Sequence, residues 1–194
     1  MDLGLLIRRG RRIRALGVDD GPFTRGSRAP VLVVGAVYAG ERFEGLLSTR
    51  VRQDGFNATR RLVAMIAGSK FQPQLHLVLL DGIALGGFNV VDLPRLAQEI
   101  DLPCLAVMRR PPGREAIRSA LGHLTRPALR ERLMRRAGPV HRTGKLYYQA
   151  AGVEPDLAGR ALLSCTYQGN VPECLRAAHL IASGIVSGQS GRRA

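Results

Sequence analysis

The chain has 194 residues, 45% of them hydrophobic, enough for one domain with a buried core and too apolar for disorder over most of its length. Lys and Arg number 29 against 15 Asp and Glu, a net charge of +14. Such an excess favours a polyanionic partner, nucleic acid first, although adaptation of a whole proteome to heat, salt or a GC-rich genome gives the same balance; only Lys70 and Lys145 are lysines. Cys104, Cys165 and Cys174 lack the CxxC spacing of a zinc site and cannot all pair, so free thiols in a reducing compartment are expected. Met1 to Arg14 has no apolar core of signal-peptide length, and no segment approaches the roughly 20 apolar residues of a membrane span. The expectation is a soluble, cytoplasmic protein.

Ile13 to Val18 is an apolar stretch ending in Asp19-Asp20-Gly21-Pro22. After a Gly/Ser/Arg loop, Val31 to Tyr38 is rich in β-branched residues and reads as a strand, with Ala39 to Arg42 as a hairpin turn and Phe43 to Val51 as the returning strand. Asp54 to Asn57 reads as a loop in which Asn57 caps a helix. Leu62 with Ile66 and Val63 with Ala67 then give that helix an apolar stripe that ends near Gly68. Leu75 to Leu80 is a near-continuous aliphatic run, the pattern of a parallel strand buried on both faces, and it stops at Asp81-Gly82. A loop over Gly82 to Asn89, a helix from about Asp92 to Ile100 and a strand from Pro103 to Met108 follow. Pro111 to Gly144 is irregular, with short helices expected over Arg114 to Leu121 and Pro127 to Arg136. Pro155 to Cys165 and Pro172 to Val186 read as helices, and residues 187–194 as a flexible tail. The order β-β-β-α-β-α-β, three antiparallel strands and then two parallel crossovers, is that of an α/β ribonuclease H-like mixed sheet with helices on both faces, formed by residues 1–194 as a single domain. In that fold the first strand lies beside the strand that follows the first helix, so Asp19 and Asp81 converge.

Carboxylates held close together repel unless a cation neutralises them, and Mg2+ or Mn2+ prefers oxygen ligands. Asp19 and Asp81 at neighbouring strand ends therefore suggest a divalent-metal site that handles phosphates, with Asp20 as a possible support; each Asp-Gly pair alone reads equally well as a plain turn. Arg109 and Arg110 follow a strand and could clamp phosphate or be ordinary surface arginines. His179 borders a packing stripe of Leu175, Ala178 and Ala182, where a hydrogen-bonded core histidine and a catalytic one look alike in sequence.

Several segments resemble the endonuclease V family: Leu16 to Asp19, Val78 to Ala84, Ile100 to Val107, and Val171 to His179 with its Pro-Glu-x-x-Arg-x-Ala-His pattern. More closely, Gly17 to Phe23, Gly86 to Asp92 and Ala178 to Gly184 are similar to a mostly archaeal family, long described as a domain of unknown function and related to endonuclease V, called endonuclease dU. The resemblance runs from about Arg14 to Gly188. It implies a metal-dependent endonuclease that cuts DNA or RNA near a deaminated base, uracil or hypoxanthine, by metal-activated hydrolysis of a phosphodiester. It assigns Asp19 and Asp81 to the metal, His179 to the active site, and Arg109 to the place of a lysine near metal and phosphate. The chain departs from the endonuclease V pattern at the Phe-Arg-Glu motif, where Asp54 to Arg60 holds no glutamate and Asp54 is the nearest substitute ligand. The Tyr-Pro wedge is missing too, and Leu85-Gly86-Gly87 replaces His-Pro-Arg. The other readings are a non-catalytic nucleic-acid-binding module on an inherited nuclease fold and, more remotely, a small-molecule phosphoesterase.

Overall fold

A computed structural model of the chain describes residues 3–191. In chain order the elements are α1 (Leu3–Arg8), β1 (Arg14–Asp20), β2 (Val31–Ala39), β3 (Arg42–Val51), α2 (Ala58–Ala67), β4 (Leu77–Asp81), β5 (Ala84–Leu85), β6 (Asn89–Val90), α3 (Leu93–Ile100), β7 (Cys104–Met108), α4 (Arg114–Gly122), α5 (Pro127–Arg136), β8 (His141–Thr143), β9 (Leu146–Ala151), α6 (Pro155–Ser164) and α7 (Glu173–Ser187). Seven strands form one mixed sheet in the order β3-β2-β1-β4-β7-β9-β8. β1, β4 and β7 are parallel at its centre, and β2, β3, β9 and β8 add antiparallel flanks. This is the ribonuclease H-like mixed sheet expected from the order of elements. Among the described residues no helix is long and apolar enough to cross a membrane.

Alternation along the central strands separates two cores, because successive side chains in a strand point to opposite faces. Leu16, Val18, Val78 and Leu80 pack with Leu62 and Ile66 of α2 and Leu96 of α3. Ala15, Leu77, Leu79, Leu105 and Val107 pack on the other side with Leu3 of α1, Leu162 of α6 and Leu175 of α7. With helices on both faces, β4 has no polar side, and its four aliphatic residues are all buried.

The structure differs from the sequence reading in four places. The hairpin of β8 and β9 occupies a stretch to which the pattern assigns nothing, because Leu146–Ala151 lacks a clear period and is held by β7, some 40 residues earlier. The loop after Asp81 contains a small hairpin of its own, with Ala84 paired to Val90. The helix Leu3–Arg8 is likewise additional to the expected elements. Asn57 does stand before α2, but its side-chain oxygen accepts from Arg52 N–H (3.1 Å), while the Ala58 N–H that opens the helix donates to Asn89 Oδ1 (3.0 Å). The expected tail begins as the last residue of α7 and the left-handed Gly188; residues 192–194 lie outside the described part.

Candidate metal centre

Residues of odd number in β1, β4 and β7 point to the side of the sheet that carries α7. Gly17 is level with Leu79 across the β1–β4 ladder, so one more step of two residues brings Asp19 beside Asp81 at the carboxyl ends of adjacent parallel strands. Arg109 follows Val107 on the same face, one strand further along. α7 closes the group because it lies directly on β1. A Cβ built on Gly17 would stand 2.3 Å from the Cys174 carbonyl carbon, and one on Gly21 would stand 2.9 Å from the Val186 side chain. The missing side chains let the helix descend until His179, one turn beyond Leu175, reaches the strand ends.

One ligand atom from each of Asp19, Asp81 and His179 falls in a set whose members all lie within 4.8 Å of one another. His179 Nδ1 is 2.8 Å from Asp19 Oδ2, and Asp19 Oδ1 accepts from the Asp20 N–H, also at 2.8 Å. Arg109 Nη2 stands 3.3 Å from Asp81 Oδ2 with its own side chain 44% exposed, so it is tethered yet free to turn outward. An open cavity of about 520 Å³ is bounded by these four residues together with Asp20 and Phe23.

The electrostatics are those of crowded acids. Burial, then the neighbouring charges of Asp81 and Asp20, raise the Asp19 pKa to about 7 against the opposing hydrogen bond from His179. Burial also raises Asp81, with Arg109 pulling the other way. Asp20 rises to about 6 through burial, moderated by backbone N–H groups including that of Gly86. A protein gains nothing in stability by burying carboxylates this way, and two oxygens with one imidazole nitrogen form a donor set suited to a divalent cation. The residues therefore fit a divalent cation.

Other predicted residues lie elsewhere. Asp54 is not in the cluster; its Oδ1 accepts from Phe88 N–H at 2.8 Å, its N–H donates to Gly86 O, and its φ is +47°. Arg110 is exposed and does not line the cavity. Asp92 caps α3, with Arg95 N–H at 3.5 Å, and pairs with Arg136 at 2.7 Å, as its place before a helix suggests. Glu173 and Arg176 pair with each other (2.8 Å), and Glu173 also accepts from Gln168 N–H.

Sequence reasoning misses the residues that hold the frame. Arg130 is fully buried, its guanidinium stacked 4.2 Å from the Phe56 ring centre. It donates to the carbonyls of Asp54, Gly55, Phe88 and Thr125, locking the β3–α2 loop to the tip of the β5–β6 hairpin. In sequence it is one arginine of an arginine-rich helix, with no signal to distinguish it. Gly17 in β1 and Gly21 just past its end, four residues apart, are the legible sign of a close-packed helix, but Gly21 reads first as a turn residue.

The mixed sheet with helices on both faces is the ribonuclease H-like fold of the endonuclease V structures. The catalytic domain of human endonuclease V superimposes with a TM-score of 0.59 at 18% identity, covering 92% of this chain and 84% of that one. A Ciona intestinalis endonuclease V in complex with DNA containing an inosine superimposes with a TM-score of 0.58 at 12% identity, covering 92% of this chain and 87% of the other. At these identities the likeness is one of fold.

The chain belongs to the endonuclease dU family, which matches it over residues 11–186. A UPF0215 protein of Methanothermobacter thermautotrophicus is 45% identical over 92% of this chain and 90% of its own length. The crystal structure of a protein of unknown function from Archaeoglobus fulgidus superimposes with a TM-score of 0.84 at 40% identity, covering 89% of this chain and 98% of that one.

Proposed function

We propose that this protein is a divalent-metal-dependent endonuclease that hydrolyses a phosphodiester bond in nucleic acid containing a deaminated base. The observation that carries the reading is the convergence of Asp19, Asp81 and His179 at the mouth of the central parallel strands. Asp19 and Asp81 would hold Mg2+ or Mn2+, which when bound supplies an activated water and charge neutralisation at the phosphate.

The remaining work falls to side chains. Asp19 holds the His179 ring through Nδ1, fixing its orientation toward the cavity, where the ring can move a proton to or from the reacting water or leaving oxygen. Arg109 can turn from Asp81 to a phosphate oxygen, where its planar fork makes two hydrogen bonds, and Arg110 can meet the next phosphate. Asp20 lines the same cavity and is the acid placed to support the cluster, whereas the Asp54 carboxylate is engaged by the Phe88 amide. The substrate class is supported by the family's designation, endonuclease dU, and by the inosine-containing DNA bound to the Ciona protein.

The engagement of Asp54 favours a second reading, a nucleic-acid-binding module short of a third acid. The two separate in one experiment. Purified protein with Mn2+ should nick oligonucleotides containing deoxyuridine or deoxyinosine in preference to unmodified controls, and Asp81→Asn should abolish nicking while leaving binding. Tight binding without any cutting across deaminated DNA and RNA would establish the binding module instead.

A further inference from the structure

The end of the sheet opposite the acids carries a second concentration of charge. Arg8, Arg9, Arg11 and Arg12 stand exposed within five residues, at the end of α1 and in the turn that leads to β1. None of the four has an ion pair or side-chain hydrogen bond among the described residues, although Glu41 lines a cavity with Arg11 and Arg12. Glu44 is occupied by Arg14 and Arg42, at 2.5 Å each, and Glu41, on the rim, has no ion pair among the described residues. The turn separates two concavities that share Gly10, Arg11 and Arg12. One, of about 700 Å³, is walled by Tyr167; the other, of about 570 Å³, by Arg9 and His76. The Arg12 stem crosses the β2–β3 turn at Gly40, and Tyr167 leaves 41% of its surface open beside it.

Unpaired guanidinia flanking an exposed aromatic ring suit a phosphodiester backbone with its bases: the cations take phosphates and the ring offers a face for stacking. We infer that the Arg8–Arg12 turn with Tyr167 is a second nucleic-acid contact surface, remote from the candidate metal centre. The inference rests on the nucleic-acid reading of that centre. β1 separates the two, six residue steps from Ile13 to Asp19, or about 20 Å at the rise of an extended strand. A duplex touching both ends would therefore meet the protein over about six base pairs, at a rise of about 3.4 Å per pair.

The test is the salt dependence of binding, measured without cleavage in EDTA on a fluorescent 24-base-pair deoxyuridine duplex and on its single strand. Each arginine–phosphate pairing removed lowers the slope of log K against log salt by about 0.9 on duplex. The double variant Arg11→Gln/Arg12→Gln should lower it by about 2 and weaken binding at low salt at least tenfold. Arg11→Lys/Arg12→Lys should restore the slope, and Tyr167→Ala should weaken single-strand binding with the slope unchanged. Arg118→Gln/Arg132→Gln removes the same charge from exposed helical positions and should leave the slope as in the wild type. Equal losses in both glutamine pairs would overturn the inference, as would wild-type slopes in both, or a patch that binds anionic phosphatidylserine vesicles and ignores nucleic acid. If the wild type binds no nucleic acid at all, the proposed function fails with it; binding that is indifferent to Arg11 and Arg12 defeats only the inference.

Discussion

Replacing Asp81 with Asn should stabilise the metal-free protein at pH 8, which is unusual for a substitution in a cavity lined by polar groups. Asp19 is shifted from 3.8 to about 7, chiefly by burial and next by the charge of Asp81. Three units correspond to about 4 kcal/mol of disfavoured ionisation, of which the neighbouring charge is the smaller share. The substitution also removes the burial cost of the Asp81 charge itself. Against this stands the ion pair with a half-exposed Arg109, worth at most about 1 kcal/mol. The relieved Asp19–Asp81 repulsion roughly offsets that ion pair, and the relieved burial of Asp81 leaves a net gain on the order of 1 kcal/mol, or about 2–4 °C in Tm for a chain of this size. The sign follows from proton linkage: the folded protein holds the Asp19 proton more tightly than the unfolded chain, so stability falls as pH rises from about 4 to about 7. The gain from Asp81→Asn should accordingly vanish at pH 4.5. Mn2+ at one hundred times its Kd should raise the wild type by about 2.7 kcal/mol and the variant far less. Differential scanning fluorimetry in EDTA and in Mn2+, at both pH values, measures all four quantities. A variant less stable than wild type at pH 8 in EDTA, or equally stabilised by Mn2+, would refute the reasoning and leave Asp81 as a partner of Arg109 alone.

Three further outcomes are expected. His179→Ala should slow single-turnover nicking at least about 100-fold while shifting Tm by no more than a few degrees, since the ring sits at a cavity edge, 26% exposed; a variant that unfolds would identify a core histidine instead. Gly17→Ala should destabilise the protein by about 3 kcal/mol or more in urea melts, because its methyl would meet the Cys174 and Leu175 backbone at 2.3–2.5 Å, and the helix it displaces carries His179. Full stability and activity in that variant would show that α7 is not seated as described. The Glu44 pKa is lowered from 4.5 to about 2, first by the hydrogen bond from Arg14, so its pairing stabilises the fold above about pH 4.5 and is lost as pH falls toward 2. In urea melts Glu44→Gln should cost about 1 kcal/mol at pH 7, solvent screening keeping it that small, with the gap narrowing below about pH 4.5 and closing only toward pH 2; a gap independent of pH would exclude ionic pairing as its cause.

The sequence by itself determined the central sheet. An aliphatic run with no polar side needs cover on both faces, and this places Leu77–Asp81 in the middle of parallel neighbours. Once Gly17 is level with Leu79, period-two alternation puts Asp19 and Asp81 on one face, so half of the candidate centre follows from local pattern and strand order. What only the tertiary structure decided is everything that depends on how closely elements approach. Beside Leu175, His179 fits a core stripe as well as a site in sequence, and the seat of α7 on Gly17 and Gly21 brings its ring to Asp19. Asp54, a candidate ligand by position, is drawn to the Phe88 amide because Arg130 binds the carbonyls of both loops. The cap of α2 comes from Asn89, 31 residues beyond the helix start it serves, and β9 becomes a strand only where β7 offers its edge. Hydrogen bonds and close packing act over a few ångströms between residues tens of positions apart, and periodicity, which reports only on neighbours along the chain, carries no trace of them.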